Sequence, residues 1–385
     1  MLRVGYWMTE KKIRKLNFDQ FHDYCSKCNV QLTLIDLTKP LEGQGPFDVI
    51  LHKLTDHIAR ANQGNEQAAA YIRCLKEYVA VHPEIIVLDP LENVCQLLDR
   101  KEQYEIVEVC QKSQKEILYF TPSFVELSEN NLEENIQKIK DANVQFPVVC
   151  KPTVAHGSTM CHQMSLVFHE KGLSDVRFPC VAQTFIPHSA ILYKVFVIGH
   201  QYFLVERPSI KDFTAQEKET IHFDSHDVSK ADSASFLNQV DDTVKPPTEV
   251  NQAHIHKLTK DIQQQLNLTL FGVDVIIDNK TGQYAVIDIN AFPGYDGVSE
   301  FFPALMDLIQ DKLRERGDLA KMSLIQNLSS PSKVQSDIKV TANGLTQPCK
   351  LPSSFSESIL SSINGKVVNA DALPHDIRNE SSKCF

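Results

Sequence analysis

Short apolar strands and amphipathic helices alternate over the first 95 residues. Arg3–Met8, Leu32–Leu37, Asp48–His52 and Ile85–Leu88 read as strands, the last ended by Asp89-Pro90. Phe18–Cys28 and Glu66–Val81 repeat their apolar residues at helical spacing. Strands joined by helical crossovers predict a parallel α/β sheet. A helical stretch over Leu91–Cys110 and a helix over Leu132–Asp141 come next. Strands are predicted at Phe146–Lys151, Met164–Phe168, Cys180–Ile186, Ile191–Ile198 and Tyr202–Val205. Lys211–Pro247 is polar and reads as an irregular insertion, and Ala253–Leu266 and Ser299–Arg316 read as helices. From Gly317 the pattern fails: thirteen serines and no Trp or Tyr predict a mostly disordered tail. The expected division is an α/β lobe over 1–95, α+β lobes over 96–190 and 191–316 facing each other, and the tail over 317–385.

The stretch Phe271–Gly294 departs from simple core patterning. It reads as two apolar strands around a turn at Lys280-Thr281-Gly282, with Gly282 in the left-handed conformation that three-residue hairpins favour. Side chains alternate along a strand. Phe271, Val273, Val275 and Ile277 therefore point one way and Asp274 the other. Ile287 and Ile289 share one face, Asp288 and Asn290 the opposite one. The turn sets Asn279 against Gln283 and Asp274 against Asp288. Two carboxylates and an amide on one sheet face are costly unless something compensates them. Magnesium would, since it takes oxygen ligands, few of them carboxylates, and completes its shell with water and phosphate. The competing possibility is a solvated face.

With 385 residues and 42% hydrophobic content, the chain supports two or three lobes with real cores. A net charge of -10 argues against a broad nucleic-acid surface but not against a small polyanion, because local lysines decide at physiological salt. The N-terminus has no signal-like apolar region and no run approaches a membrane span, so a cytoplasmic protein without membrane insertion is expected. Ten scattered cysteines suit a reducing compartment, and Cys25-Ser-Lys-Cys28 reads as helix packing.

Several cations fall at strand ends. Lys151 closes an apolar strand, and Lys194 shares a strand face with Leu192, Phe196 and Ile198. A buried lysine needs an anionic partner. A nucleotide phosphate would supply one; a strand edge reaching solvent is the alternative. Lys11-Lys12-Ile13-Arg14-Lys15 follows the first strand and Lys53 follows the strand ending at His52. Ligands bind at such ends in α/β sheets, although a charge run also suits a solvated face. Ala155-His156-Gly157-Ser158 is a small-residue loop where Gly157 permits close approach to a phosphate and His156 and His162 could donate to one.

The runs Arg3-Val-Gly-Tyr-Trp7, Glu10-Lys-Lys12, His52-Lys-Leu-Thr-Asp56, Leu98-Asp-Arg100, Ala155-His-Gly157 and Asp288 through Val298 closely resemble the inositol-tetrakisphosphate 1-kinase family, also called inositol 1,3,4-trisphosphate 5/6-kinases. The resemblance runs in order over about residues 3 to 310. It implies an ATP-grasp fold: a Rossmann-like N-terminal lobe on the substrate side and two α+β lobes enclosing the nucleotide. It implies a monomeric kinase that moves the ATP γ-phosphoryl group to inositol polyphosphates such as the 1,3,4-trisphosphate and the 3,4,5,6-tetrakisphosphate. By resemblance, Arg100, Lys151, Gln183, Lys194, Ser209, Ser225 and Ser229 contact ATP. Lys12, Lys53, His162, Lys194, Asn290, Gly294 and Ser299 contact the inositol phosphate. Asp274, Asp288 and Asn290 hold magnesium, two ions per site. Lys194, His156 and His162 are the candidates for a direct part in catalysis. An ATP-grasp carboxylate-amine ligase and a non-catalytic nucleotide-binding scaffold are the alternatives.

Overall fold

The computed structural model describes residues 1–157, 159–213, 219–239, 249–318, 321 and 349–350. All lie within one compact unit, Met1–Leu351. The first lobe contains β1 (Leu2–Trp7), α1 (Glu10–Lys15), α2 (Phe18–Lys27), β2 (Val30–Leu34), β3 (Val49–His52), α3 (Thr55–Asn62), α4 (Glu66–Val81) and β4 (Ile86–Leu88). Its sheet runs β2-β1-β3-β4 with every pair parallel, as the alternation predicts. Helix α2 buries Phe18, Phe21 and Cys25 on one face, and Cys25 and Cys28 are both buried thiols, so that motif is packing.

The predicted helical stretch over Leu91–Cys110 is two helices, α5 (Leu91–Cys95) and α6 (Arg100–Lys112). Asp99 sets the start of the second. Its backbone is extended, and its carboxylate accepts from the N–H groups of Lys101 at 2.7 Å and Glu102 at 3.2 Å, capping α6.

Then come β5 (Tyr119–Phe120), β6 (Phe124–Leu127), α7 (Leu132–Asp141), β7 (Val148–Pro152), β8 (Gln163–Val167), β9 (Cys180–Thr184), β10 (Ile191–Ile198), β11 (Gln201–Pro208), β12 (Ile221–Asp224), α8 (Ser225–Ser229), α9 (Gln252–Leu266), β13 (Leu270–Ile277), β14 (Tyr284–Ala291), α10 (Phe301–Glu315) and β15 (Cys349–Lys350). They form a five-stranded sheet, β12-β8-β7-β9-β6, and a six-stranded sheet, β15-β11-β10-β13-β14-β5. Two strands thus join the sheet of the other lobe: β5 pairs with β14, and β12 pairs with β8. The insertion over 211–247 accordingly carries a strand and a helix in its described part. The expected disorder of the tail concerns residues that, Gly317, Asp318, Lys321 and the short β15 apart, lie outside the described ones.

The six-stranded sheet is covered on both faces. Val195, Val273, Val275 and Ile289 pack with Ile255, Leu258 and Ile262 of α9, while Phe196, Ile198 and Phe203 pack with Leu305, Leu308 and Ile309 of α10. Helix α6 seals the outer edge of β14: Tyr104 Oη donates to the Ile287 carbonyl at 3.0 Å, and the Ile289 N–H donates to Gln103 at 3.2 Å.

The β13–β14 hairpin brings Asp274 opposite Asp288 as predicted, but by a different route. Near the turn the Asp278 N–H donates to the Gln283 carbonyl, so the loop is one residue longer than the three-residue reading. Gly282 is left-handed, at φ +72°. The register then shifts between Asp274 and Val275, which faces Val286. The extra residue, Ile287, restores the pairing of the two aspartates. This bulge overturns the expected facing of Ile287, which sits with Leu192, Ile276 and Ala285 on the side away from Ile289.

Candidate active site

A cleft of about 810 Å³ opens where the three sheets meet. Val149, Phe185, Ile186, Leu192, Ile210, Ile276 and Ile287 make one end apolar; Lys11, Lys12, Lys15, Lys53 and Arg207 make the other cationic. Between them lie Arg100, Lys151, Lys194, Asp274, Asp288 and Asn290.

Every charge at this centre faces an opposite one or a hydrogen-bonding partner. Lys194 pairs with Asp274 across β10 and β13 at 2.8 Å. Arg100, only 2% exposed, pairs with Asp288 at 2.6 Å, and its other donors reach the carbonyls of Pro152 and Cys161. Asn290 donates to Asp288 at 2.9 Å. Lys151 donates to Tyr104 Oη, Gln183 Oε1 and the Ile287 carbonyl, each at 2.8 Å. Burial raises the Asp274 carboxyl above the usual range against the pull of Lys194, with Asp288 adding to the rise. Burial works the same way on Asp288, but Arg100 and Lys151 outweigh it and hold that carboxyl low. Burial, with Arg100 beside it, brings Lys151 down to about 7.

The two lysines from the first lobe reach across the cleft. Lys12 donates to the Phe292 carbonyl at 3.0 Å and to that of Pro293; Lys53 donates to the Ala291 carbonyl. Both therefore rest on the chain leaving β14. Among the predicted ATP contacts, Gln183, Ser209, Ser225 and Ser229 all line the cleft. Ser209 Oγ lies 2.7 Å from His188 Nε2, and Ser229 donates to the Ser225 carbonyl at 3.0 Å.

His162 and Gly294 line the cleft as expected. The His162 ring lies against His226 at 3.7 Å between centroids, and burial, His226 and Arg100 lower it to about 4. Two calls fail. His156 does not line the cleft; its Nε2 is buried without a partner, and burial beside Lys53 lowers it to about 3. Ser299 is exposed outside the cleft, because the chain turns away at Gly297 with φ +90°. Sequence reasoning included Lys15 only within the basic run Lys11–Lys15 and did not single out His188, Arg207, His226 or Asp296, which also line the cleft. Lys15 sits one helical turn after Lys12, a signal that was there to use; His226, in the aperiodic insertion, gave none.

Among the described residues no cluster of three or more His, Cys, Asp or Glu side chains suits a metal, so the oxygen-rich set is two carboxylates and an amide. No helix among them is long and apolar enough to cross a membrane.

Comparisons with known proteins agree with this layout. The family model described as the inositol 1,3,4-trisphosphate 5/6-kinase pre-ATP-grasp domain matches residues 3–94, and that of the ATP-grasp domain matches 113–311. Inositol-tetrakisphosphate 1-kinase of Danio rerio is 45% identical over 318 residues, covering 81% of this chain and 79% of the relative. The Xenopus laevis protein of that name is 43% identical over 334 residues, 85% of this chain and 83% of the relative. The crystal structure of a D-cycloserine synthetase superposes with a TM-score of 0.52 at 11% identity, covering 81% of this chain and 99% of that one, which speaks for the fold alone. With both domain models matched in order around the cleft they frame, the chain belongs to the inositol 1,3,4-trisphosphate 5/6-kinase family and has the ATP-grasp fold.

Proposed function

We infer that the cleft transfers the γ-phosphoryl group of ATP to a ring hydroxyl of an inositol polyphosphate, as an ATP-dependent kinase. What carries this is the order of the lining: an apolar end, a centre of facing carboxylates and cations, and a lysine-rich end. The base fits the apolar end beside Gln183 and Leu192. The polyphosphate fits over Lys151, Arg100 and Lys194. Lys12, Lys53, His162 and Gly294 would hold the ring phosphates, each of which carries about -1.5 to -2 charge. Acceptors of the kinds in the family description and the relatives' names, inositol 1,3,4-trisphosphate and an inositol tetrakisphosphate, suit this end. A carboxylate substrate of a ligase would not call for so many cations.

Phosphoryl transfer depends on positioning and charge neutralisation rather than covalent help. Lys194 bridges nucleotide and acceptor ends; His162, neutral at pH 7, can accept a hydrogen bond from the attacking hydroxyl.

Asp274, Asp288 and Asn290 fit magnesium: all three offer oxygen on one sheet face, and Lys194 and Arg100 already offset the repulsion of the paired carboxylates. Asp288, opposite Asp274 and hydrogen-bonded to Asn290, would hold magnesium together with those two residues. When bound, magnesium neutralises charge on the β- and γ-phosphates.

The test is ATP consumption with inositol phosphates, with carboxylate–amine pairs and with buffer alone, products identified by mass. Turnover with inositol phosphates alone is expected. Stimulation by a carboxylate–amine pair instead, or none by any addition, would overturn the proposal.

A further inference from the structure

We propose that Asp296 is a specificity-determining residue that limits how many phosphates the acceptor can carry, an inference that rests on the kinase assignment above. Asp296 follows β14, the strand of Asp288 and Asn290, in the loop lining the lysine-rich end. Its carboxylate lies 2.8 Å from Lys15 Nζ, across the gap between this loop and α1. Arg207, from β11, donates to its backbone carbonyl at 2.8 Å and so fixes its position. Gly294 makes room: a Cβ there would stand 2.5 Å from the Asp296 carboxylate and 3.0 Å from Lys15 Nζ.

The pair is poorly suited to a purely structural role. Both side chains are about half exposed, at 48% and 49%, where ion pairs contribute little to stability. Its location is more telling. Lys12 and Lys15 lie three residues apart on α1, hence on one face, and both line the cleft. A ring phosphate on Lys12 and Lys53 has Lys15 as a further cation beside it, and Asp296 already neutralises that lysine. A further phosphate must displace the carboxylate or sit against it. Asp296 thus stands in for a phosphate, matching the site to less phosphorylated rings and penalising those that bring one more charge.

The proposal predicts an ordering. Removing one like charge at about 4 Å in a water-like dielectric is worth about fivefold in affinity. The ratio of kcat/KM for an inositol pentakisphosphate to that for a trisphosphate should rise about fivefold in Asp296→Asn and further in Asp296→Lys. Adding Lys15→Gln to Asp296→Asn should return it toward wild type, and salt should shrink the effect. Calorimetric binding of inositol hexakisphosphate, which needs no turnover, should tighten in the same order. Ratios and affinities unchanged within about twofold, or moved in opposite directions by the neutral and the basic variants as loop disruption would do, would overturn the role of Asp296. If the wild-type protein binds inositol phosphates and the variants follow the ordering but no turnover occurs, the kinase assignment fails and the Asp296 assignment stands. If no inositol phosphate binds, both fail.

Discussion

Lys53 makes the pH dependence of acceptor binding calculable. Burial in the cleft brings its ammonium down to about 8, against an opposing pull from Asp56. A group titrating there is about 90% charged at pH 7 and about 9% charged at pH 9. The acceptor's phosphates have second ionisations near 6, so their charge changes little over this range. KM for an inositol phosphate should therefore rise about tenfold from pH 7 to pH 9, as binding comes to require proton uptake. Lys12 is lowered in the same direction, well below its ordinary value, by burial and then by Lys53 and Lys15. Lys53→Arg keeps its charge over the whole range and should flatten the profile. The assay is steady-state KM at saturating ATP for both proteins at several pH values. A flat wild-type profile, or an equally steep one in Lys53→Arg, would refute the reasoning. Folding should respond with a fixed sign. The unfolded chain keeps this proton up to about 10.5 while the folded one releases it near 8. The unfolded state therefore binds more protons in between, and the ligand-free protein should gain stability as pH rises through that window.

Asp288→Asn should lower kcat by about a thousandfold or more; wild-type kcat in that variant would end the metal assignment. Its thermal midpoint should also fall, because Arg100 is left buried without its carboxylate, a loss of roughly 3–5 kcal/mol by analogy with broken buried pairs. Lys151→Met removes the cation and leaves Gln183 Oε1 without its donor, while Tyr104 and the Ile287 carbonyl keep each other, and should raise KM for ATP by at least about tenfold, measured at saturating acceptor. Gly5→Ala would push a methyl to 2.9 Å from Ile35 and Phe47 in the first-lobe core, for about 1–3 kcal/mol of destabilisation by chemical denaturation.

The elements that sequence reasoning placed well carry strong periodicity and sharp ends: Glu66–Val81, Leu132–Asp141 and Ile191–Ile198 match to the residue. Where it erred, a single residue's backbone decided. Asp99 caps the start of α6 after α5 has already ended at Cys95, although its side chain also suits the exposed face of a continuous helix. In the hairpin, a loop one residue longer than expected and a bulge at Ile287 cancel each other. The pairing of Asp274 with Asp288 was therefore legible even though the facing of Ile287 was not. Positions that depend on distant parts of the chain, such as β12 joining β8 or Asp296 meeting Lys15, leave no local pattern at all.

Arg100 has a consequence for product release. One guanidinium holds Asp288 on the six-stranded sheet and the carbonyls of Pro152 and Cys161, which belong to the five-stranded sheet and the turn leading into it. If the two sheets part to release ADP, the carbonyl contacts break and a guanidinium now only 2% exposed takes up water, so Arg100 would link nucleotide departure to wetting of the cleft.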